Sequence, residues 1–251
     1  VHNANNVNGE CIKYLSDLPI SFLSFVNDPK LTDANLLPIA KLKSLGVLEI
    51  VACPLFKGTG IAGFAGPINL HWVPPEDMKY SNEALNHLSK FSFSCLFLNR
   101  DKLEDQQFDM LAKFSTVPYF ALEGTKRLTS REISCLLKIP SLNQLQLSGI
   151  KFDVAGLSNW HGTGLILHRT GLNDNEVKVL SKLKLAHLEL WEPKLTKASL
   201  ASIAKMRTLT SLHFRRLPPA ISIADLQALR KSAPNLAIQW NLNDVDPPRV
   251  I

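Results

Sequence analysis

Large apolar residues recur along the chain in the spacing L-x-x-L-x-L, and the stretches between them switch to a helical period. The clearest unit runs from Leu185 to Phe214. It opens with Leu185, Leu188 and Leu190 and closes with Leu209, Leu212 and Phe214, 24 residues later. Between them, Thr196 begins a segment that places Leu200, Ile203 and Ala204 on one helical face. Strand, turn, helix and next strand are therefore predicted. With this unit as a ruler, the first position falls at Ile20, Leu45, Ala65, Phe93, Val117, Leu142, Gly162, Leu185, Leu209 and Asn235, in steps of 20 to 28 residues. The fourth and sixth positions are then apolar in every repeat, from Leu23/Phe25 through Ile68/Leu70 to Ile238/Trp240. Alternation at those two places predicts short strands with one buried face.

Polar residues mark the helix starts. Asn8, Thr32, Ser81, Thr129, Asn173, Thr196 and Ser222 each precede the next first position by 12 or 13 residues. Such side chains accept hydrogen bonds from the free N–H groups of a first helical turn. Thr129 with Glu132 and Asn173 with Glu176 have the spacing of capping boxes; Glu104 holds the same place as a poorer cap. Two connections, Cys53–Gly66 and Lys151–Gly164, are short and rich in Gly and Pro, which predicts extended or 3₁₀ structure. The stretch His71–Tyr80 is longer than its counterparts and carries Trp72, two prolines and Tyr80. It reads as a protruding recognition loop or as an insertion whose Trp packs on a neighbour. No break suggests a second domain: residues 1–251 are expected to form one unit, with repeats over about 8–240 and a short cap or tail at 241–251.

The segment Leu31-TDANLLPIAKLKSLGVLEI-Ile50 and the ending Leu226-QALRKSAPNLAI-Ile238 resemble leucine-rich-repeat proteins, more narrowly bacterial ones with L-T-D-A-x-L…L-x-x-L-x-L units. The resemblance implies an α/β fold: a curved right-handed solenoid with a parallel β-sheet on its concave face, helices on its convex face and about ten strands. It implies binding, usually of protein, and not catalysis. One departure concerns the ninth position, where Asn or Cys often bonds backbone between turns. Only Cys53 and Asn243 fit, so a regular Asn ladder is absent.

In such a sheet, positions three, five and seven of each repeat face outward and form rows across strands about 4.8 Å apart. In the N-terminal part these rows bring together Phe22, Phe97 and Tyr119, with Val26, Val47 and Val51 nearby. An apolar outward patch invites a protein partner, or is covered by a flanking domain or by the His71–Tyr80 loop. In the C-terminal part the rows contain His168, His187, Glu189, Trp191, His213 and Arg215. Trp beside Arg is the usual composition of an interface hot spot. These residues and Trp72 are the candidate partner-binding set. His187, Glu189 and His213 share a face in the manner of metal ligands, but ligands on a nearly flat sheet rarely converge on bonds of about 2.1 Å, so no metal is expected.

Composition changes little. Hydrophobic residues make up 45% and charged residues 20%, as in ordinary globular chains. The net charge of +6 is uneven: residues 1–150 hold 14 basic and 14 acidic side chains, residues 151–251 hold 14 and 8. Lys41, Lys90, Lys113, Lys138, Lys182, Lys205 and Lys231 fall three or four residues before a strand. They offset the negative ends of helix dipoles; a sharper alternative is a lysine-lined rim for an anionic glycan or nucleic acid. No nucleic-acid motif supports the latter. The sequence also lacks G-x-S-x-G, H-E-x-x-H, G-x-x-x-x-G-K-[ST] and strand-to-helix G-x-G-x-x-G motifs. No catalytic residue or cofactor is expected, and the recognition part of a longer enzyme is the remaining alternative. Cys11, Cys53, Cys95 and Cys135 have no metal-ligand spacing and read as small buried side chains. No apolar run approaches the roughly 18 residues of a membrane span, no signal peptide is visible, and a monomer is expected. The compartment is left open, because the chain starts without Met and is expected to be processed or part of a longer protein.

Overall fold

The computed structural model describes residues 14, 18–64, 66–242 and 248–250. Their contacts group them into two compact units, one reaching to Ala121 and including Lys138–Leu142, the other formed by Leu122–Leu137 and the chain from Asn143 on. In the first unit strands β1 (Phe22–Val26), β2 (Val47–Val51), β3 (Ile68–Val73) and β4 (Phe93–Asn99) pair in parallel and in chain order. In the second, β6 (Gln144–Ser148), β7 (Gly164–His168), β8 (His187–Trp191), β9 (Ser211–Phe214) and β10 (Ala237–Trp240) do the same. The strand β5 (Tyr119–Glu123) has residues in both units. An eleventh strand, Arg249–Val250 (β11), pairs with β10 in antiparallel fashion. The expected tail therefore contributes a two-residue edge strand that hydrophobic spacing could not show.

The core follows from the repeat. None of the twenty residues at fourth and sixth positions is more than 7% exposed. Burying a side chain of that size contributes roughly 1.5–3 kcal/mol, so these columns are a continuous part of the driving force in each unit, joined by the buried faces of the connecting segments. Opposite the strands lie short helices: α1 (Asp33–Ile39), α2 (Asn82–Leu88), α3 (Phe108–Leu111), α4 (Ser130–Leu136), α5 (Asp174–Leu180), α6 (Ala198–Ile203) and α7 (Ile223–Ser232). Isolated helices of this length are marginal in water; each is held by its buried face, such as Val177 and Leu180 of α5.

Caps fix the helix starts. Ser81 accepts from the Ala84 N–H at 3.0 Å. The boxes at Thr129/Glu132 and Asn173/Glu176 form as predicted, the latter with the Asn173 N–H donating to Glu176 at 2.9 Å. Ser222/Asp225 and Glu104/Gln107 add two more. Thr196 lies two residues before α6 and still accepts from the Ala198 N–H at 3.2 Å. Asn8 falls outside the described residues.

The two short connections are 3₁₀ segments, Thr59–Gly63 and Val154–Asn159. Each presses a glycine onto the preceding helix. A Cβ on Gly60 would lie 2.4 Å from the Asp33 carbonyl oxygen, and one on Gly156 would lie 3.0 Å from Ile133 and Ser130. The Asp33 carboxylate accepts from the N–H groups of Lys57 at 2.7 Å and Gly60 at 2.6 Å, closing that short repeat onto α1.

The third repeat is offset from the ruler. Leu48 pairs with Leu70 and Ile50 with Trp72, while Ile68 precedes an irregularity against β4. Its fourth and sixth positions are thus Leu70 and Trp72. Trp72 is 3% exposed and packs edge-on against Phe56 at 5.0 Å and Tyr80 at 4.8 Å. The Tyr80 hydroxyl donates to the Trp72 carbonyl and accepts from the Asn99 N–H at 2.9 Å. Trp72 is therefore a core residue and not a displayed contact. An even period missed it because the third repeat runs two residues late: Ile68, Leu70 and Trp72 alternate inward without a change of face, and Trp72 takes the sixth position that the ruler gave to Leu70.

A turn device recurs where an Asn ladder was missing. Asn27, Ala52, Arg169 and Glu192 have φ between 51° and 53°, and Gly124 and Gly149 also have positive φ. Each follows a strand. The N–H of Asn27 donates to the Val51 carbonyl at 2.9 Å, that of Ala52 to Val73 at 2.9 Å, that of Gly149 to His168 at 2.8 Å and that of Arg169 to Trp191 at 2.9 Å. In these repeats the left-handed turn thus bonds to the end of the next strand through backbone alone. At the ninth position the Cys53 thiol adds a contact of 3.7 Å to the Phe25 carbonyl.

Candidate functional site

The outward residues of β7, β8 and β9 form a connected polar and aromatic cluster within the second unit. Strand pairing sets it up: His168 is in register with Trp191, Glu189 with His213, and His187 with Ser211. Alternation puts Leu188 and Leu190 into the core and turns His187, Glu189 and Trp191 outward.

Glu189 is the hub. His168 Nε2 lies 2.9 Å from its Oε1, Arg215 Nε forms an ion pair with the same oxygen at 2.9 Å, and His213 Nδ1 lies 3.6 Å from its Oε2. The carboxylate only accepts, so His168 donates through Nε2. Burial pushes the Glu189 pKa up. The imidazoles of His168 and His213 and the Arg215 charge outweigh burial and hold it well below the usual carboxylate range. His213 moves the other way: the Glu189 carboxylate raises its pKa against the cost of burial, helped by Asn241, whose Oδ1 accepts from Nε2 at 2.8 Å. His187 is lowered, chiefly by burial, with Glu189 raising it and His213 lowering it; its Nδ1 lies 3.1 Å from the Ser211 hydroxyl. An acid held this firmly as an anion serves ion pairing and positioning, not proton donation.

Trp191 lies beside this hub. The His168 ring meets it edge-on at 5.2 Å. The Arg169 guanidinium lies over the indole at 4.5 Å and the Arg215 guanidinium at 5.8 Å. Arg169 Nε also donates to Glu192 at 3.0 Å, and Arg216 donates to the other Glu192 oxygen at 2.6 Å. Arg169, Glu192 and Arg216 thus alternate in sign across three successive turns.

Strand spacing put His168, His187, Glu189, Trp191, His213 and Arg215 in one neighbourhood, and there they lie. Arg169, Glu192, Arg216 and Asn241 join them unforeseen. The first three stand at the eighth position of consecutive repeats, and their alternating charge along that column was a readable signal. The reach of Arg169 onto Trp191 was not, because it depends on the left-handed turn at Arg169.

The apolar candidates are looser. Phe22 is 57% exposed on β1. Phe97 and Tyr119 are half-buried, with rings 5.8 Å apart, and Phe97 meets His71 at 5.6 Å. His71 Nδ1 lies 3.1 Å from Glu49 Oε1. Among the described residues no group of three or more His, Cys, Asp or Glu side chains could hold a metal ion, and no helix is long and apolar enough to cross a membrane. Cys53 and Cys95 are buried, and burial pushes the Cys95 thiol up to about 12.

No family model and no curated protein matches the chain. Among solved structures it is similar to a leucine-rich-repeat protein of Leptospira interrogans, at 21% sequence identity and a TM-score of 0.42, over 80% of this chain and 50% of that one. The chain thus spans about half the length of that protein. Independently of that similarity, the L-x-x-L-x-L strands pair in parallel and in chain order with short helices between them, an α/β repeat fold.

Proposed function

We propose that the chain is a non-catalytic protein-interaction module, a single leucine-rich-repeat domain that engages its partner through the outward, concave face of the sheet. The observation that carries this reading is the setting of Trp191, half-buried on a rigid strand, flanked by two arginines and a histidine. Aromatic and Arg side chains dominate the few interface positions with large energetic effect. Here three paired strands and the Glu189 hub restrict their rotamers before any partner arrives, which lowers the ordering cost of binding. Phe22, Phe97 and Tyr119 supply a second, apolar contact region on the first unit.

The test is affinity capture from an extract of the source organism with immobilised wild type, Trp191→Ala, Arg215→Ala and the control Lys205→Gln. Proteins retained by wild type and Lys205→Gln but lost from the other two support the assignment. Equal retention by all four sinks it. Loss only with Lys205→Gln moves binding to the lysine rim and favours an anionic polymer.

A further inference from the structure

Resting on that reading, we propose that the Trp191 surface receives an acidic segment of a partner protein, a carboxylate lying on the guanidinium edges of Arg169 and Arg215 beside the indole.

Both arginines are tethered through the same atom. Arg169 uses Nε on Glu192 and Arg215 uses Nε on Glu189. A guanidinium has five N–H donors in a planar fork, and the two-nitrogen edge matches a carboxylate bidentately. Tethering through Nε orients the plane and leaves that edge for another acceptor; the Nη atoms of these two arginines have no hydrogen bond to a described residue. The side chains are 55% and 50% exposed, so the edges reach solvent. Their holders are well anchored: Glu189 keeps His168 and His213 as partners, and Glu192 keeps Arg216. A ligand that draws on either guanidinium leaves no buried carboxylate stranded.

Charge favours the same class. Three arginines face two glutamates in this cluster, and residues 151–251 carry 14 basic against 8 acidic side chains. Position argues for a short protein segment over a long polyanion. The arginines stand at or just beyond the C-terminal ends of β7 and β9, whereas Lys182 and Lys205 precede the N-terminal ends of β8 and β9. The two sets of cations occupy opposite strand ends and make no continuous track. The indole at 4.5 and 5.8 Å from the guanidinium carbons adds a stacking face for an apolar residue next to the acid.

The test is fluorescence anisotropy with a short labelled peptide alternating Asp and Glu around one Phe, against a copy with every acid replaced by its amide. The acidic peptide is expected to bind and the amide copy to lose binding. Arg169→Gln and Arg215→Gln should each weaken binding by about tenfold, the size expected for losing a charge-assisted pair. Arg215→Lys keeps the charge without the fork and should weaken it too, while Lys205→Gln leaves it unchanged; circular dichroism confirms that each variant folds. The proposal is overturned if the acidic peptide does not bind, if the amide copy binds equally, or if both arginine variants bind normally. It is also overturned if Lys205→Gln weakens binding as much, or a thymidine oligonucleotide displaces the peptide through the lysines. Failure here with Trp191→Ala still losing its captured partner refutes only the acidic ligand; a Trp191→Ala protein that retains its partner refutes the interaction surface itself.

Discussion

The Arg169 guanidinium lies 4.5 Å over the Trp191 ring, and Arg169 itself has a φ of 52°. The contact exists because the backbone turns left-handed there. Glycine occupies that region freely, a linear side chain at a cost of about 1 kcal/mol or more, and a β-branched one with greater strain. Arg169→Gly relieves strain while losing a surface ion pair and a cation–π contact, each worth about 1 kcal/mol or less. Its stability should stay within about 1 kcal/mol of wild type, whereas Arg169→Val should be clearly destabilised. Urea unfolding of both decides the matter; equal midpoints would mean the turn is not left-handed.

Histidine titration tests the hub. His213 should protonate above the ordinary 6.5 and His187 below it. The signs differ in consequence. His213 contributes stability that is fully present below its unfolded pKa and lost as pH rises through the higher folded value. Glu189 contributes stability present above its unfolded pKa and lost as pH falls through its depressed one. Imidazole proton shifts followed by NMR should show His213 the more basic of the two, and Glu189→Gln should lower the His213 midpoint. An unchanged midpoint in that variant would deny Glu189 its role.

Gly60→Ala should destabilise the protein by roughly 1–3 kcal/mol, the usual cost of overpacking. The new methyl would meet Asp33 backbone atoms at 2.4 to 3.0 Å, which cannot swing aside as a side chain can. Gly66, in the same connection, has nothing within 4 Å of an added Cβ. Gly66→Ala is the matched control and should leave the denaturation midpoint unchanged.

Trp72→Ala separates packing from recognition. A buried aromatic truncated to Ala costs roughly 3–5 kcal/mol. Thermal unfolding should show that loss, and any loss of binding should track the unfolded fraction. Wild-type stability with weakened binding would restore Trp72 to the surface.

The periodic part of the structure was legible because period-2 alternation and helix caps are local. Leu188, Leu190, Thr129 and Asn173 each declare their role within a few residues, and outward rows follow from strand pairing once the alternation is known. Trp72 was misplaced because the third repeat runs two residues late against the ruler; that offset keeps the inward face, so Ile68, Leu70 and Trp72 all point into the core, and composition carries no mark of it. The reach of Arg169 onto Trp191 was missed for a different reason: it depends on the backbone dihedral at Arg169, and only the glycines at Gly124 and Gly149 hint that such turns are left-handed.

Those turns have a consequence for how the surface can change. Their bond to the next strand runs from a backbone N–H, so it survives any side chain that tolerates the conformation. Asn27, Ala52, Gly124, Gly149 and Arg169 all occupy the place and make the bond. The column can therefore be rewritten residue by residue, at about 1 kcal/mol for each non-glycine choice, without disturbing the strands beneath it. Partner preference can drift there while the scaffold stays fixed.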